Sequence, residues 1–177
     1  LILTGEDVIK EQLGDLTCMS FPKLLPGSPS FCPSQPILAR DKVLFVGEGI
    51  ALVVAETLEQ AKDAGELLEI EYEVLPAVTL IDAHAANAPK VWDEADGNTS
   101  FQTISGDNAD VTAQFAAAAH ISNFRVQYPR ATSNSMEPRA TLAYRNQMDG
   151  RMTLCSSAQE PHEIKHVVSH VLRMSQL

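Results

Sequence analysis

The sequence is short of basic residues, cysteine and long apolar segments, and each shortage argues against a class of protein. Only 13 Lys and Arg stand against 23 Asp and Glu in 177 residues, a formal charge of −10. This balance argues against a nucleic-acid partner, because a phosphate backbone attracts clustered cations. No apolar run approaches the roughly 18 residues of a membrane span, so we expect none.

The three cysteines, Cys18, Cys32 and Cys155, form an odd set without a CxxC pair. Such a set predicts neither a disulfide framework nor a thiolate zinc site. It suits a reducing compartment, and we expect a cytoplasmic protein.

Apolar residues, 45% of the chain, are patterned well enough to predict a folded core. Continuous runs at residues 43–46 and 50–55 are typical of buried strands. Thr57 and Gln60 have the spacing of a helix capping box, and residues 69–75 alternate as a half-buried strand does. A compact strand–helix–strand unit is therefore predicted.

A second group of elements is predicted after a linker. Gly106-Asp107 precedes a short helical pattern over residues 111–118, and a turn at Asp149-Gly150 joins two strands. Pro161 opens a helix, where a first turn tolerates proline. The strands predicted here are residues 120–128, 140–145 and 152–156. The apolar face of the last helix is Ile164, Val167, Val168, Val171 and Leu172.

Two motifs resemble known functional sites, but the residues around each motif argue against that function. Gly47-Glu48-Gly49 follows a predicted strand, but a second strand comes next where a dinucleotide loop needs a helix, so a bend is favoured. The sequence from His162 through Glu163 to His166 is a literal HExxH, the pattern of a zinc hydrolase. No Asp or Glu follows it, and His170 lies about 12 Å along the helix axis from His162, too far to share one ion.

Gln159 lies between a predicted strand and the predicted helix that follows it. The ends of strands that lead into helices are common positions for residues that face a ligand. A neutral amide offers two donor hydrogens and an acceptor, so it can bond an oxo group without adding charge. From spacing alone, a helix-capping or surface Gln is the favoured interpretation.

Four ordered blocks resemble the large subunits of molybdenum hydroxylases, the family of xanthine dehydrogenase, aldehyde oxidase and aerobic carbon monoxide dehydrogenase. They are Pro36-Ile-Leu-Ala-Arg-Asp-Lys-Val-Leu-Phe-Val-Gly-Glu-Gly-Ile-Ala-Leu-Val-Val-Ala-Glu-Thr57, Glu69-Ile-Glu-Tyr-Glu-Val-Leu-Pro-Ala-Val78, Asn134-Ser-Met-Glu-Pro-Arg-Ala140 and Gln159-Glu-Pro-His162. Together they cover most of the chain, and their order is far more specific than any single motif.

The resemblance implies an α+β fold in two parts. Residues 1–85 would be part of an α/β hammerhead domain with a proline-rich loop at residues 17–36. Residues 86–105 would be a linker, and residues 106–177 the N-terminal part of a molybdopterin-binding domain. Neither end of the sequence has the pattern of a natural terminus, so we expect a segment of a longer protein that is inactive alone.

The resemblance also implies chemistry. Such enzymes hydroxylate an aldehyde, a purine or an N-heterocycle, or oxidise carbon monoxide, with water as the oxygen source. The cofactor is a molybdopterin, expected as the cytosine dinucleotide form. Electrons pass to [2Fe–2S] clusters and FAD on a small and a medium partner subunit, in a dimer of heterotrimers.

In this family the Gln at the position of Gln159 donates a hydrogen bond to an oxo ligand of molybdenum, so the resemblance favours a catalytic, cofactor-binding role for Gln159. The family has a small or neutral residue where Glu160 stands, and an anion there is unfavourable beside an anionic cofactor unless it turns away. Glu137 and Arg139 are expected to form a buried structural pair. Two alternatives stay open: a zinc-dependent hydrolase that uses His162 and His166, and a non-catalytic assembly module.

Overall fold

The computed structural model describes residues 1–18, 26–27, 30–78, 83, 85, 87–129 and 131–176. The chain divides into two compact units, Leu1–Ile104 with Lys165–Leu177, and Ser105–Ile164. In chain order the described elements are β1 (Ile2–Thr4), α1 (Gly5–Lys10), β2 (Ala51–Val53), α2 (Leu58–Glu66), α3 (Asn108–Ala117), β3 (Thr141–Arg145), β4 (Met152–Ser156) and α4 (Pro161–Leu172). This mixture of helix and strand confirms the α+β class. None of the described helices has the length and apolar character to cross a bilayer.

The first unit is organised around a short antiparallel pair. β1 pairs with β2, with Ile2 opposite Val53 and Thr4 opposite Ala51. α1 follows β1 directly. Thr4 is its N-cap, and the carboxylate of Asp7 in the first turn accepts the amide of Thr4 at 2.8 Å. Val8 and Ala39 are buried here, together with Val171 from α4.

α2 begins where the capping-box pattern predicts. The amide of Gln60 donates to Thr57 Oγ1 at 3.2 Å, and the amide of Thr57 donates to Gln60 Oε1 at 3.2 Å. This reciprocal pair satisfies two amides that the first turn leaves without intrahelical partners. The predicted capping box is confirmed.

The strand predicted at residues 43–46 is wrong, and the bend predicted next to it explains why. The buried carboxylate of Glu48 accepts the amide of Leu44 at 2.6 Å, and the amide of Glu48 donates to the carbonyl of Phe45 at 3.3 Å. Gly47 takes a φ of +95°, which favours glycine. These bonds curl the backbone into a turn, and the strand predicted over residues 50–55 shortens to β2.

The strands predicted at residues 69–75 and 120–128 are also wrong: neither segment forms a ladder with another described residue. In residues 69–75 the predicted inward positions stay open to solvent, with Val74 at 90% relative exposure. Alternation predicts which face of a strand would be buried, but a strand also requires a partner for its backbone. The described residues supply no such partner.

The second unit contains the elements that local signals predict best. Asp107 caps α3, its carboxylate accepting the amides of Ala109 at 2.9 Å and Asp110 at 3.1 Å. β3 and β4 form an antiparallel hairpin with Thr141 opposite Ser156. Its turn closes as predicted, with Gly150 at a φ of +71°. Both strands and the helix after Pro161 are confirmed.

Part of the predicted linker packs within the first unit. The ring of Trp92 meets that of Phe31 edge to face, with centroids 6.3 Å apart. Asn98 accepts the amide of Val91 at 3.0 Å and donates to the carbonyl of Pro89 at 2.9 Å. Residue 86 of the linker, and residues 19–25, 28 and 29 of the proline-rich loop, lie outside the described residues. The domain boundaries stay a prediction.

Two glycines on helices give opposite stability predictions. A Cβ on buried Gly5 would collide with the backbone carbonyl of Ala39, whereas a Cβ on Gly65 of α2 meets nothing within 4 Å. We expect Gly5→Ala to destabilise the first unit by about 1–3 kcal/mol. The clash is with the main chain of Ala39, which, unlike a side chain, cannot rotate out of the way. Gly65→Ala should stabilise α2 by about 0.5–1 kcal/mol.

Hydrogen exchange of the complete protein, read on peptides that contain α1 and α2, measures both effects. Exchange in α1 should accelerate in Gly5→Ala and exchange in α2 should slow in Gly65→Ala. Unchanged protection of α1 would contradict the close approach of Gly5 to Ala39.

Candidate functional site

Gln159 lies in the four-residue connection between β4 and α4. β4 ends at Ser156 and α4 begins at Pro161, so the hairpin and the helix hold this connection from both sides. The Gln159 side chain is exposed, and no other described residue forms a hydrogen bond with it. An exposed Gln159 fits both interpretations given above, a surface residue and a cofactor contact, so its role stays a prediction.

The connection touches the predicted Glu137–Arg139 block. Ser157 Oγ donates to Glu137 Oε1 at 3.4 Å, which brings together residues 20 apart in sequence. Both Glu137 and Arg139 are exposed, and the ion pairs of the described residues do not include them. The expected buried Glu137–Arg139 pair is wrong, because solvent reaches both groups and Ser157 takes the carboxylate. The sequence did not predict the contact between Ser157 and Glu137, because these two residues belong to different local patterns.

Glu160 turns towards the first turn of α4. It hydrogen-bonds to the carboxyl group of Glu163, which raises the pKa of Glu163, and the negative charge of Glu160 adds to the rise. The backbone carbonyl of Glu160 meanwhile accepts the amide of Ile164 at 3.1 Å. Glu160 is thus bonded to Glu163 at the start of α4.

The residues of the connection fit a neutral contact to an anionic oxygen-rich group. Gln159 supplies amide N–H donors without a formal charge. Glu137 is engaged by Ser157, and Glu160 is engaged by Glu163. The available donor next to β4 is thus the carboxamide that the family resemblance assigns to a molybdenum–pterin cofactor.

Two residues of the HExxH motif, Glu163 and His166, make contacts with other side chains rather than forming a zinc site. Glu163 is engaged by Glu160, and His166 Nδ1 lies 2.7 Å from Gln176 Nε2. Among the residues that the structure describes, no three His, Cys, Asp or Glu side chains cluster to hold a metal ion. The local geometry of α4 therefore gives a zinc hydrolase no support.

Comparison with known families places two profiles along the chain. The profile described as aldehyde oxidase and xanthine dehydrogenase, a/b hammerhead domain, matches residues 2–76. The profile described as molybdopterin cofactor-binding domain matches residues 91–176, a range that contains Gln159. Both agree in order and kind with the resemblance noted from the sequence.

Individual curated proteins that resemble this chain agree with the two profiles. The chain is 33% identical over 150 residues to the carbon monoxide dehydrogenase large chain of Afipia carboxidovorans, covering 76% of this chain and 18% of that protein. It is 30% identical over 140 residues to a probable xanthine dehydrogenase subunit of Bacillus subtilis, covering 78% of this chain and 18% of that one. It is 37% identical over 109 residues to the 6-hydroxypseudooxynicotine dehydrogenase complex subunit gamma of Paenarthrobacter nicotinovorans, covering 62% and 14%. The chain spans less than a fifth of the length of these relatives.

The Glu160–Glu163 contact predicts a pH-dependent effect on stability. A carboxyl whose folded pKa is raised stabilises the fold fully below its unfolded pKa, and this contribution is lost as the pH rises through the folded pKa. Glu163→Gln keeps a neutral side chain at every pH. We therefore expect this variant to match the wild type in acid and to exceed its thermal stability at pH 7.

Melting curves of the complete protein between pH 4 and pH 7 measure the difference. Asp110→Asn is the matched control, because this first-turn carboxylate of α3 contacts Gln114 rather than another acid. It should give no gain in stability at pH 7, since an acidic group stabilises a helix N-terminus. A Glu163→Gln variant less stable than the wild type at pH 7 would contradict the raised pKa of Glu163.

Proposed function

Because the chain belongs to the molybdenum hydroxylase family of xanthine dehydrogenases, aldehyde oxidases and carbon monoxide dehydrogenases, we propose that the complete protein is a molybdenum-dependent oxidoreductase. This chain is the part of its large subunit that carries hammerhead and molybdopterin-binding segments. The proposal is supported by two family profiles in the expected order and by relatives whose names are dehydrogenases and hydroxylases. The observation that carries it is the available Gln159 amide at the end of β4, inside the molybdopterin-binding match.

Gln159 is proposed to position the cofactor. When bound, the molybdenum–pterin group supplies two-electron redox chemistry on a small substrate, with oxygen from water. Gln159 Nε2 donates a hydrogen bond to an oxygen of that group and orients it without a formal charge. The main chain of Gln159 lies between the end of β4 and the start of α4, which gives the donor its place in the chain.

The substrate is proposed to be an aldehyde, a purine, an N-heterocycle or carbon monoxide. The relatives support this range: one is named carbon monoxide dehydrogenase large chain, another nicotine 6-hydroxylase large subunit, and a third is named as a probable xanthine dehydrogenase subunit. Names that contain "large chain" and "subunit" also support partner subunits. We propose that these carry FAD and [2Fe–2S] clusters, that the assembly is a dimer of heterotrimers in the cytoplasm, and that the pterin is the cytosine dinucleotide.

Gln159→Ala in the complete protein tests the assignment. Turnover should fall roughly 10- to 100-fold, the loss typical when a residue that orients a metal group is removed. Molybdenum content, measured by mass spectrometry of the metal, should stay within the wild-type range because most of the pterin contacts are untouched.

Gln147→Ala is the matched control, because Gln147 lies in the turn at the opposite end of the β3–β4 hairpin. It should leave both turnover and molybdenum content unchanged. Wild-type turnover in Gln159→Ala would remove Gln159 from the site. Complete absence of molybdenum from the matured wild-type protein would instead favour the non-catalytic assembly module.

A further inference from the structure

Two segments at the ends of the proline-rich loop, residues 15–18 and 32–35, are joined by backbone pairing. We call these two segments the neck of the loop. Leu16 and Gln35 exchange two hydrogen bonds, Leu16 N to Gln35 O at 2.7 Å and Gln35 N to Leu16 O at 2.8 Å. Ser34 Oγ adds a bond to Asp15 Oδ2 at 3.2 Å. The segments that enter and leave the loop therefore run antiparallel, side by side.

This neck brings together two of the three cysteines. Cys18 follows Leu16 by two residues and Cys32 precedes Gln35 by three, so the antiparallel pairing places them near each other at the loop end of the neck. Their thiols are within hydrogen-bonding distance, and both side chains are exposed and unoxidised. The pKa of Cys32 is raised, first by partial desolvation and then by the hydrogen bond to Cys18 and the negative charge of its thiolate.

We propose that Cys18 and Cys32 form a reversible disulfide across this neck, by exchange with a small-molecule disulfide of the glutathione type. The inference is independent of the molybdenum chemistry. It also refines the sequence-based expectation: three sparse cysteines predict no disulfide framework, yet the fold pairs two of them across a loop neck.

The exchange balances in two steps. The Cys18 thiolate attacks one sulfur of the oxidised disulfide, forming a mixed disulfide and releasing one glutathione thiolate. Cys32 then loses its proton and attacks the Cys18 sulfur, releasing the second thiolate. Two protein thiols are oxidised and one small disulfide is reduced to two thiols, so protons and electrons balance without another reactant.

Cys155 supplies an internal control. It is an exposed thiol on β4, opposite Leu142 in the ladder. It meets the same solution reagents, and residues 105–164 contain no second cysteine. The proposal therefore requires Cys155 to stop at the mixed disulfide while the neck pair proceeds to an internal bond.

The test equilibrates the complete protein with defined ratios of oxidised to reduced glutathione, alkylates the remaining thiols, and digests the denatured protein with trypsin. Trypsin cuts after Lys10, Lys23 and Arg40, so Cys18 and Cys32 fall in the separate peptides 11–23 and 24–40. We expect these peptides linked, two hydrogens lighter than their sum. Half-conversion should need roughly tenfold less oxidised glutathione than the mixed disulfide at Cys155, because the second thiol is already in contact.

Three serine variants complete the test. Cys18→Ser and Cys32→Ser should each abolish the linked peptide and leave the remaining neck thiol glutathionylated at the higher ratio typical of Cys155. Cys155→Ser should leave the linked peptide unchanged. The proposal is overturned if the linked peptide is missing at every ratio, or if Cys18 or Cys32 pairs with Cys155 instead.

Discussion

The hydrogen-bonded ladder between β3 and β4 is the constraint on which the candidate site depends. It fixes the end of β4 at Ser156, opposite Thr141. Pro161, which has no amide hydrogen and a preset φ, then opens α4. The connection of residues 157–160 is consequently short and held at both ends. Gln159 owes its position to this anchoring, since no hydrogen bond of its own side chain holds it among the described residues.

Negative charge is the second constraint on this connection. The chain carries a formal charge of −10, and three carboxyl groups of the second unit lie in this connection or are bonded to it, those of Glu137, Glu160 and Glu163. Ser157 donates to the first, and the other two share a hydrogen bond that raises the pKa of Glu163. The acids are therefore occupied with one another and with Ser157. In the proposed site the neutral amide of Gln159 is the group assigned to the ligand, and it suits an anionic partner better than a free carboxylate would.

Sequence patterns predict the structure well wherever the deciding hydrogen bonds are local. The caps at Thr57 and Asp107 involve residues no more than three apart, and the turn at Gly150 lies within one hairpin. The strands expected at residues 69–75 and 120–128 failed because a ladder needs a distant partner that alternation does not specify. The same limit applies to the site. Gln159 was found through family resemblance, but the Ser157–Glu137 and Cys18–Cys32 contacts join segments whose local patterns are unrelated.

Local capping also explains how helices form here with little burial. Neither α2 nor α3 contains a fully buried residue, yet both begin at a residue whose side-chain oxygen accepts amides of the first turn. A cap gives partners to first-turn amides that have none within the helix. It therefore sets the first residue of a helix independently of packing. At α4 the proline at the first position contributes differently, because it has no amide hydrogen that would need a partner. The start of α4, and with it the end of the connection that carries Gln159, is therefore set by local chain chemistry.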